Sequence, residues 1–261
     1  MKPITRYFLI ALMLTVPFYR AEGQQNELYS AGYASAFIGG LYDAWYPYRD
    51  LHSHGNFGLG APARLDGELI MLDGVLYKTQ YTGKTTPIDN SGETPYAVVC
   101  FFKAKQLFKP GNTLTKAALL KYLDSVLASK NGLYAIHIKG HFRYLKTRAF
   151  PPVTQKPYLP LASMLDRQHF FEFNDIDGDL VGYRLPEFME GPHISGYHFH
   201  FLSDDKQSGG HLIDVIAENI VIEIDQLDSY TMQLPQTDDF KNFDFKKDRK
   251  DEIKSVENGK K

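Results

Sequence analysis

The sequence predicts an α/β fold that is rich in strands and carries few helices. Three observations predict it. Short apolar and aromatic runs bounded by Gly, Pro and Asp-Gly recur along the chain, and one stretch at 112–127 holds a sustained helical period. Aromatics reach 14%, with 17 Tyr and 18 Phe against a single Trp. The 261 residues are 43% apolar and 23% charged, with a net charge of −2. That is enough to bury a core in one large or two modest domains. The near-neutral balance leaves no basic field to neutralise phosphates, which excludes a nucleic-acid binder. One cysteine, Cys100, excludes an internal disulfide framework, and no CxxC pair marks a thiolate metal site.

Residues 1–23 have the layout of a signal peptide. Lys2 and Arg6 precede the apolar run Tyr7–Phe18, and a polar segment follows. Twelve apolar residues are too few to cross a bilayer, which takes about 20. The expectation is an exported protein, periplasmic or secreted, with no membrane span after cleavage; the alternative is an uncleaved amphiphilic anchor. Residues 24–150 form an N-terminal α/β part. Leu28–Arg64 reads as short elements among Gly and aromatic residues, and Leu65–Thr79 as strands joined at two Asp-Gly turns. Tyr96–Lys103 is a fully buried strand. Leu114, Ala118, Leu120, Leu123 and Leu127 follow a helical period, with Thr113 or Thr115 as cap. Strands follow at Tyr134–Ile138 and Gly140–Leu145.

Prolines at 151, 152, 157 and 160 open a second part, 151–237, with a short helix over Leu161–Arg167. Its strands are His169–Asn174 and Gly178–Tyr183, flanking a hairpin turn at Asp175–Gly178, then Tyr197–Leu202 and Ile213–Ile224. Leu65-Asp66-Gly67-Glu68-Leu69 echoes Ile176-Asp177-Gly178-Asp179-Leu180, and Tyr96–Phe102 parallels Tyr197–Leu202, but the two offsets differ by ten residues, so a duplicated motif would require an insertion. The tail, 238–261, is polar and taken by itself reads as a solvated charged helix.

Tyr197-His198-Phe199-His200-Phe201 followed by Gly209-Gly210-His211 is the sharpest chemical pattern. On a strand, His198 and His200 project from one face while Tyr197, Phe199 and Phe201 face a core. A ribbon returning through Ser203–Gly210 brings His211 alongside, and three imidazoles make an open site for Zn2+ or a similar ion. The bland alternative is an aromatic strand whose histidines hydrogen-bond across a sheet. Glu68 stands in the apolar run Leu69–Leu72, where a carboxylate must be paired, protonated or metal-directed, unless it lies on the wet face of an edge strand. Arg148 suits bidentate capture of a carboxylate, although Lys146-Thr147-Arg148 by itself reads as ordinary surface. Asp175–Asp179 lacks the Gly and acid of a calcium loop, and His52-Ser53-His54 reads as loop.

The run Gly140–Asp214, with KTRAFPPVTQKPYLPL and GYHFHFLSDDKQSGGHLID, resembles alpha-acetolactate decarboxylases, as does FGLGAPARLDGELIMLDG at Phe57–Gly74. The resemblance extends over nearly all of the chain after the signal segment. It implies two strand-rich parts with mixed sheets and a metal site near their junction. It also implies a zinc enzyme converting (S)-2-acetolactate to (R)-acetoin and CO2. The family's zinc histidines fall on His198, His200 and His211, its motif glutamate on Glu68 and its arginine on Arg148. Its C-terminal glutamate falls on Glu257, with Glu252 as the competing position, which implies that the tail 238–261 returns to the site. Ala61 stands where family members often carry Thr, which removes any hydroxyl contact from that place.

In the mechanism this suggests, zinc chelated by the substrate's ketone and hydroxyl stabilises the enediolate left when CO2 departs. Arg148 positions the carboxylate, and Glu68 or Glu257 delivers the proton that makes acetoin chiral. The competing classes are a zinc hydrolase with Glu68 as base and a non-catalytic, secreted metal-binding β-domain. Homodimerisation is an expectation without a readable interface.

Overall fold

Strands form where β-branched and aromatic residues alternate with polar ones, and glycine or proline ends them. A computed structural model describes residues 26–257 and 259, so the expected signal segment lies outside the described residues. The strands are β1 (Glu27–Ala31), β2 (Tyr46–Pro47), β3 (Phe57–Ala61), β4 (Glu68–Leu72), β5 (Val75–Thr79), β6 (Thr85–Pro87), β7 (Glu93–Thr94), β8 (Tyr96–Cys100), β9 (Gln106–Phe108), β10 (Leu114–Thr115), β11 (Leu133–Ala149), β12 (His169–Leu185), β13 (Gly196–Ser203), β14 (Gly209–Leu227) and β15 (Ser229–Gln233). The α-helices are α1 (Ala34–Ile38), α2 (Tyr48–Leu51), α3 (Lys116–Val126), α4 (Asp238–Lys241) and α5 (Lys250–Glu257). No helix among the described residues is long and apolar enough to cross a membrane.

Two sheets carry the fold. The first runs β15-β1-β8-β3-β4-β5-β6 and is mixed, because β15 lies parallel to β1 while the other pairs are antiparallel. The second runs β10-β14-β11-β12-β13, with β9 also on β14. β14 pairs with β11 along its length and, at its start, with β13. Since β12 joins β11 to β13, the four strands close on themselves. Ile136, Phe142, Leu180, Phe199, Phe201 and Ile222 fill the interior together with Leu119 and Leu123 of α3. Each such side chain contributes roughly 1.5–3 kcal/mol by leaving water. The opposite face of this sheet, with Ala135, Val181 and Tyr183, packs on Leu59, Ile70 and Val98 of the first sheet, and Ile253 and Val256 of α5 join that core.

Several expectations change in detail. The two strands expected at 134–138 and 140–145 are one, β11, with a register shift beside Gly140 in place of a break. The hairpin turn expected at Asp175–Gly178 is absent. β12 runs straight through it with the same register to β11 on either side, and Asp175, at φ +51°, is its one residue of positive φ. Asp177-Gly178 is therefore strand, whereas Gly67, at φ +101°, ends a turn before β4, so the two echoed segments fold differently. The helix expected over 112–127 starts at Lys116, where the Thr115 hydroxyl accepts from the Ala118 amide. The tail is not simply solvated, because Ile253 and Val256 are fully buried.

β12 and β13 approach so closely that a side chain at Gly182 would collide with the Phe199 ring and the His198 carbonyl. Overpacking of this kind costs roughly 1–3 kcal/mol. Gly182→Ala should lower the unfolding free energy measured by urea titration by that amount, with a matching fall in the midpoint, and disturb the strand that carries His198 and His200. An unchanged midpoint would show that the pairing tolerates an extra methyl group.

Candidate active site

The strand register places three of the expected site residues side by side. His200 pairs with His211, and His211 pairs on its other edge with Arg148, so one row crosses β13, β14 and β11. Gly210, at φ +120°, makes this possible, since a Cβ there would lie 2.8 Å from the Arg148 carbonyl. His198 stands two residues before His200 on the same face. Phe199 and Phe201 point the other way, into the closed interior. The three rings lie with centroids 4.9–5.4 Å apart.

Their nitrogens converge. One ligating atom from each histidine lies within 4.8 Å of the others, and His198 Nε2 is 3.2 Å from His211 Nδ1. Tetrahedral bonds of about 2.0–2.1 Å to one ion set neighbouring nitrogens ~3.3 Å apart, so this spacing suits a shared metal. His200 Nδ1 donates to the Leu69 carbonyl at 2.7 Å, which leaves Nε2 with its lone pair. Burial holds the three rings neutral. It draws the His200 pKa down to about 3 and those of His198 and His211 well below the usual value. Neutral, buried, convergent imidazoles fit a divalent ion.

Two carboxylates border this group. Glu68 lies on β4, an interior strand of its sheet, so the edge-strand alternative is ruled out. Its Oε2 is 3.5 Å from His200 Nε2, and its Oε1 accepts from Arg148 Nη1 at 2.6 Å. Glu257 Oε2 lies 3.7 Å from His211 Nε2 and 3.8 Å from His198 Nε2. Burial pushes Glu68 up to about 7 despite the opposing pull of Arg148. Burial pushes Glu257 up to about 8, with Arg148 opposing and Glu68 adding. Glu252 is elsewhere, bound to Lys247 and Arg249. Arg148, which reads as surface in the sequence, is 3% exposed. Its Nη2 reaches the Val256 carbonyl at 3.4 Å, its guanidinium lies over the Phe150 ring, and its Nε has no partner among the described residues.

The six residues line one chamber of about 30 Å³, walled also by Phe37, Leu161 and Ile194. Ala61 lines it too, offering only a methyl group. His52 and His54 lie apart from it, bonded to Asn90 and stacked on Tyr29 respectively. Sequence reasoning missed the Leu69 carbonyl, whose role no side chain signals. It also missed Lys116, whose cation opens a helix where the dipole disfavours it.

A family profile described as Alpha-acetolactate decarboxylase matches residues 28–247. The alpha-acetolactate decarboxylase of Methanosarcina mazei is 35% identical over 91% of this chain and 82% of its own length. That of Raoultella terrigena is 34% identical over 95% and 96%. The crystal structure of the Bacillus subtilis alpha-acetolactate decarboxylase superposes with a TM-score of 0.86 at 31% identity, covering 88% of this chain and 99% of that one. Fold and sequence together define a decarboxylase, a carboxy-lyase. The chain belongs to the alpha-acetolactate decarboxylase family. The matched span holds Glu68, Arg148 and the three histidines, and Glu257 follows it.

The buried groups set a pH signature in the metal-free protein. The unfolded chain takes up protons below about pH 6.5 that the three folded imidazoles refuse, so stability rises with pH to that point. Glu68 and Glu257 act in the opposite sense. Folded, they retain protons that the unfolded chain loses above about 4.5, so stability falls as pH climbs through 7 and 8. Thermal melts of chelator-treated protein should therefore peak near pH 6.5. Stability still rising above pH 8 would contradict the carboxyl assignments.

Proposed function

We propose that the protein is a zinc enzyme that decarboxylates (S)-2-acetolactate to (R)-acetoin and CO2. The observation that carries this is the pairing of a convergent three-histidine group with a buried arginine and two near-neutral carboxyl groups in one chamber. His198, His200 and His211 would hold the ion. When bound, zinc supplies a Lewis acid for the electron pair released as the bond to the carboxylate breaks.

The chain's own residues do the rest. Arg148 places the substrate carboxylate, and its unpartnered Nε–H is a donor available for that contact. Phe37, Phe150 and Leu161 keep water from the reacting carbon. Glu68 and Glu257 each hold a proton near neutrality, and one delivers it to a single face of the carbon that has lost CO2. That carboxylate regains its proton from solvent. The fixed walls around it account for a single acetoin enantiomer.

Replacing His198, His200 or His211 by Ala should remove most bound zinc and activity together. Arg148→Ala should keep the zinc and lower turnover of acetolactate, about a hundredfold if positioning is its role. Glu257→Gln should stop turnover or erode enantiomeric purity, whereas Glu252→Gln, away from the chamber, should do neither. Zinc analysis with chiral chromatography of acetoin reads all of these. Full zinc retention in any histidine variant, or a damaging Glu252→Gln, would overturn the corresponding assignment.

We also propose that the protein is exported. Lys2, Arg6 and the apolar run Tyr7–Phe18 support this. The mature N-terminus, read by mass spectrometry on protein from the extracytoplasmic fraction, should fall near residue 23. An intact Met1 in cytoplasmic protein would refute it.

A further inference from the structure

A cleft of about 390 Å³ lies beside the inner chamber, and the two share His211 and Glu257 in their walls. Lys116 lines this cleft and sits at the first position of α3. A cation there opposes the helix dipole. Burial also draws its ammonium below the ordinary lysine range, while Asp214 and Glu257 pull it back up. Two unfavourable terms on one side chain call for a compensating use. Its Nζ makes one hydrogen bond among the described residues, to the Ile213 carbonyl at 2.8 Å, although an ammonium has three donors. That carbonyl is two residues beyond His211, so the head is tethered next to the histidine row.

The other cations of the cleft are placed differently. Arg184 donates to the Lys130 carbonyl at an exposed position, and Lys254 stands on α5. Glu187 and Glu190 offset them, so the cleft as a whole has no strong positive field. The charge of Lys116 is the one among these three that is felt at both Glu257 and His211.

We infer that Lys116 captures the substrate's carboxylate in the outer cleft and passes it to Arg148, making it a positioning residue for small 2-hydroxy monocarboxylates. This rests on the decarboxylase reading above. A point charge on a flexible stem suits a short-lived hold, whereas the planar fork of Arg148 suits the final one. Lys116 touches no reacting atom, so it sets how readily substrate enters and leaves turnover of bound substrate unchanged.

The test uses the zinc-loaded full chain with Lys116→Met and Lys116→Arg. Lys116→Met should raise KM for acetolactate by about five- to tenfold, with kcat within about twofold, as expected for loss of one steering charge. Zinc content should not change, and the ionic-strength dependence of kcat/KM should flatten. Lys116→Arg should recover most of the loss. Calorimetric binding of unreactive 2-hydroxyisobutyrate should weaken by the same factor in Lys116→Met. An unchanged KM, or a fall in kcat with KM and probe affinity intact, would overturn the inference. If the wild type does not turn over acetolactate, the decarboxylase reading fails, and the calorimetry still decides the role of Lys116. Weaker probe binding in Lys116→Met would then support carboxylate capture for another 2-hydroxy acid, and equal binding would refute it.

Discussion

The closure of β11, β12, β13 and β14 is the constraint on which the rest depends. Because β14 pairs on both edges at its start, His211 is held between His200 and Arg148 by backbone hydrogen bonds. Neighbouring strands in a sheet lie about 4.8 Å apart, so the spacing of the three side chains follows from the backbone before any side chain chooses a rotamer. A slip of one residue would turn His200 and His211 into the apolar interior and bring Phe199 or Phe201 out. The aromatic residues that fill the interior therefore also fix which face the histidines take.

Burying Arg148 beside three imidazoles is unfavourable unless negative charge accompanies it. Glu68 provides that partner, and its position on an interior strand of the first sheet joins the two sheets at the site. The His200 contact to the Leu69 carbonyl makes the same junction through the backbone. Loss of either link would loosen the packing of the sheets as well as the chemistry. Two carboxyl groups face one guanidinium, and burial resolves the imbalance by keeping the proton on Glu257, which is raised further than the Arg148-bound Glu68.

Much of the site was legible because its residues break local patterns. A period of two with aromatic residues between His198 and His200 announces a strand with a polar face. Glu68 is conspicuous as an acid in an apolar run. Arg148 carries no such mark, since its burial comes from cross-strand pairing that lies more than sixty residues away in sequence. Glu257 reads as part of a charged tail, and only Ile253 and Val256, three apart on one helix face, hint that the tail packs. In the fold, the buried strands and the capped helix were readable from composition and spacing. The continuity of β11 and β12 was not, because Gly140 and Asp175-Ile176-Asp177-Gly178 look like breaks and tertiary pairing carries the strands through them.

The long strands have a consequence for how the molecule comes into being. The contacts that define the site join residues 13, 80 and 131 positions apart. Loop closure must precede every one of the longer contacts, and topologies dominated by such pairings fold slowly. No hairpin or isolated half of the chain contains the whole constellation. The site is therefore a product of the finished topology and of no smaller part of it. A partly folded chain would expose aromatic strand faces well before it acquired any catalytic capacity.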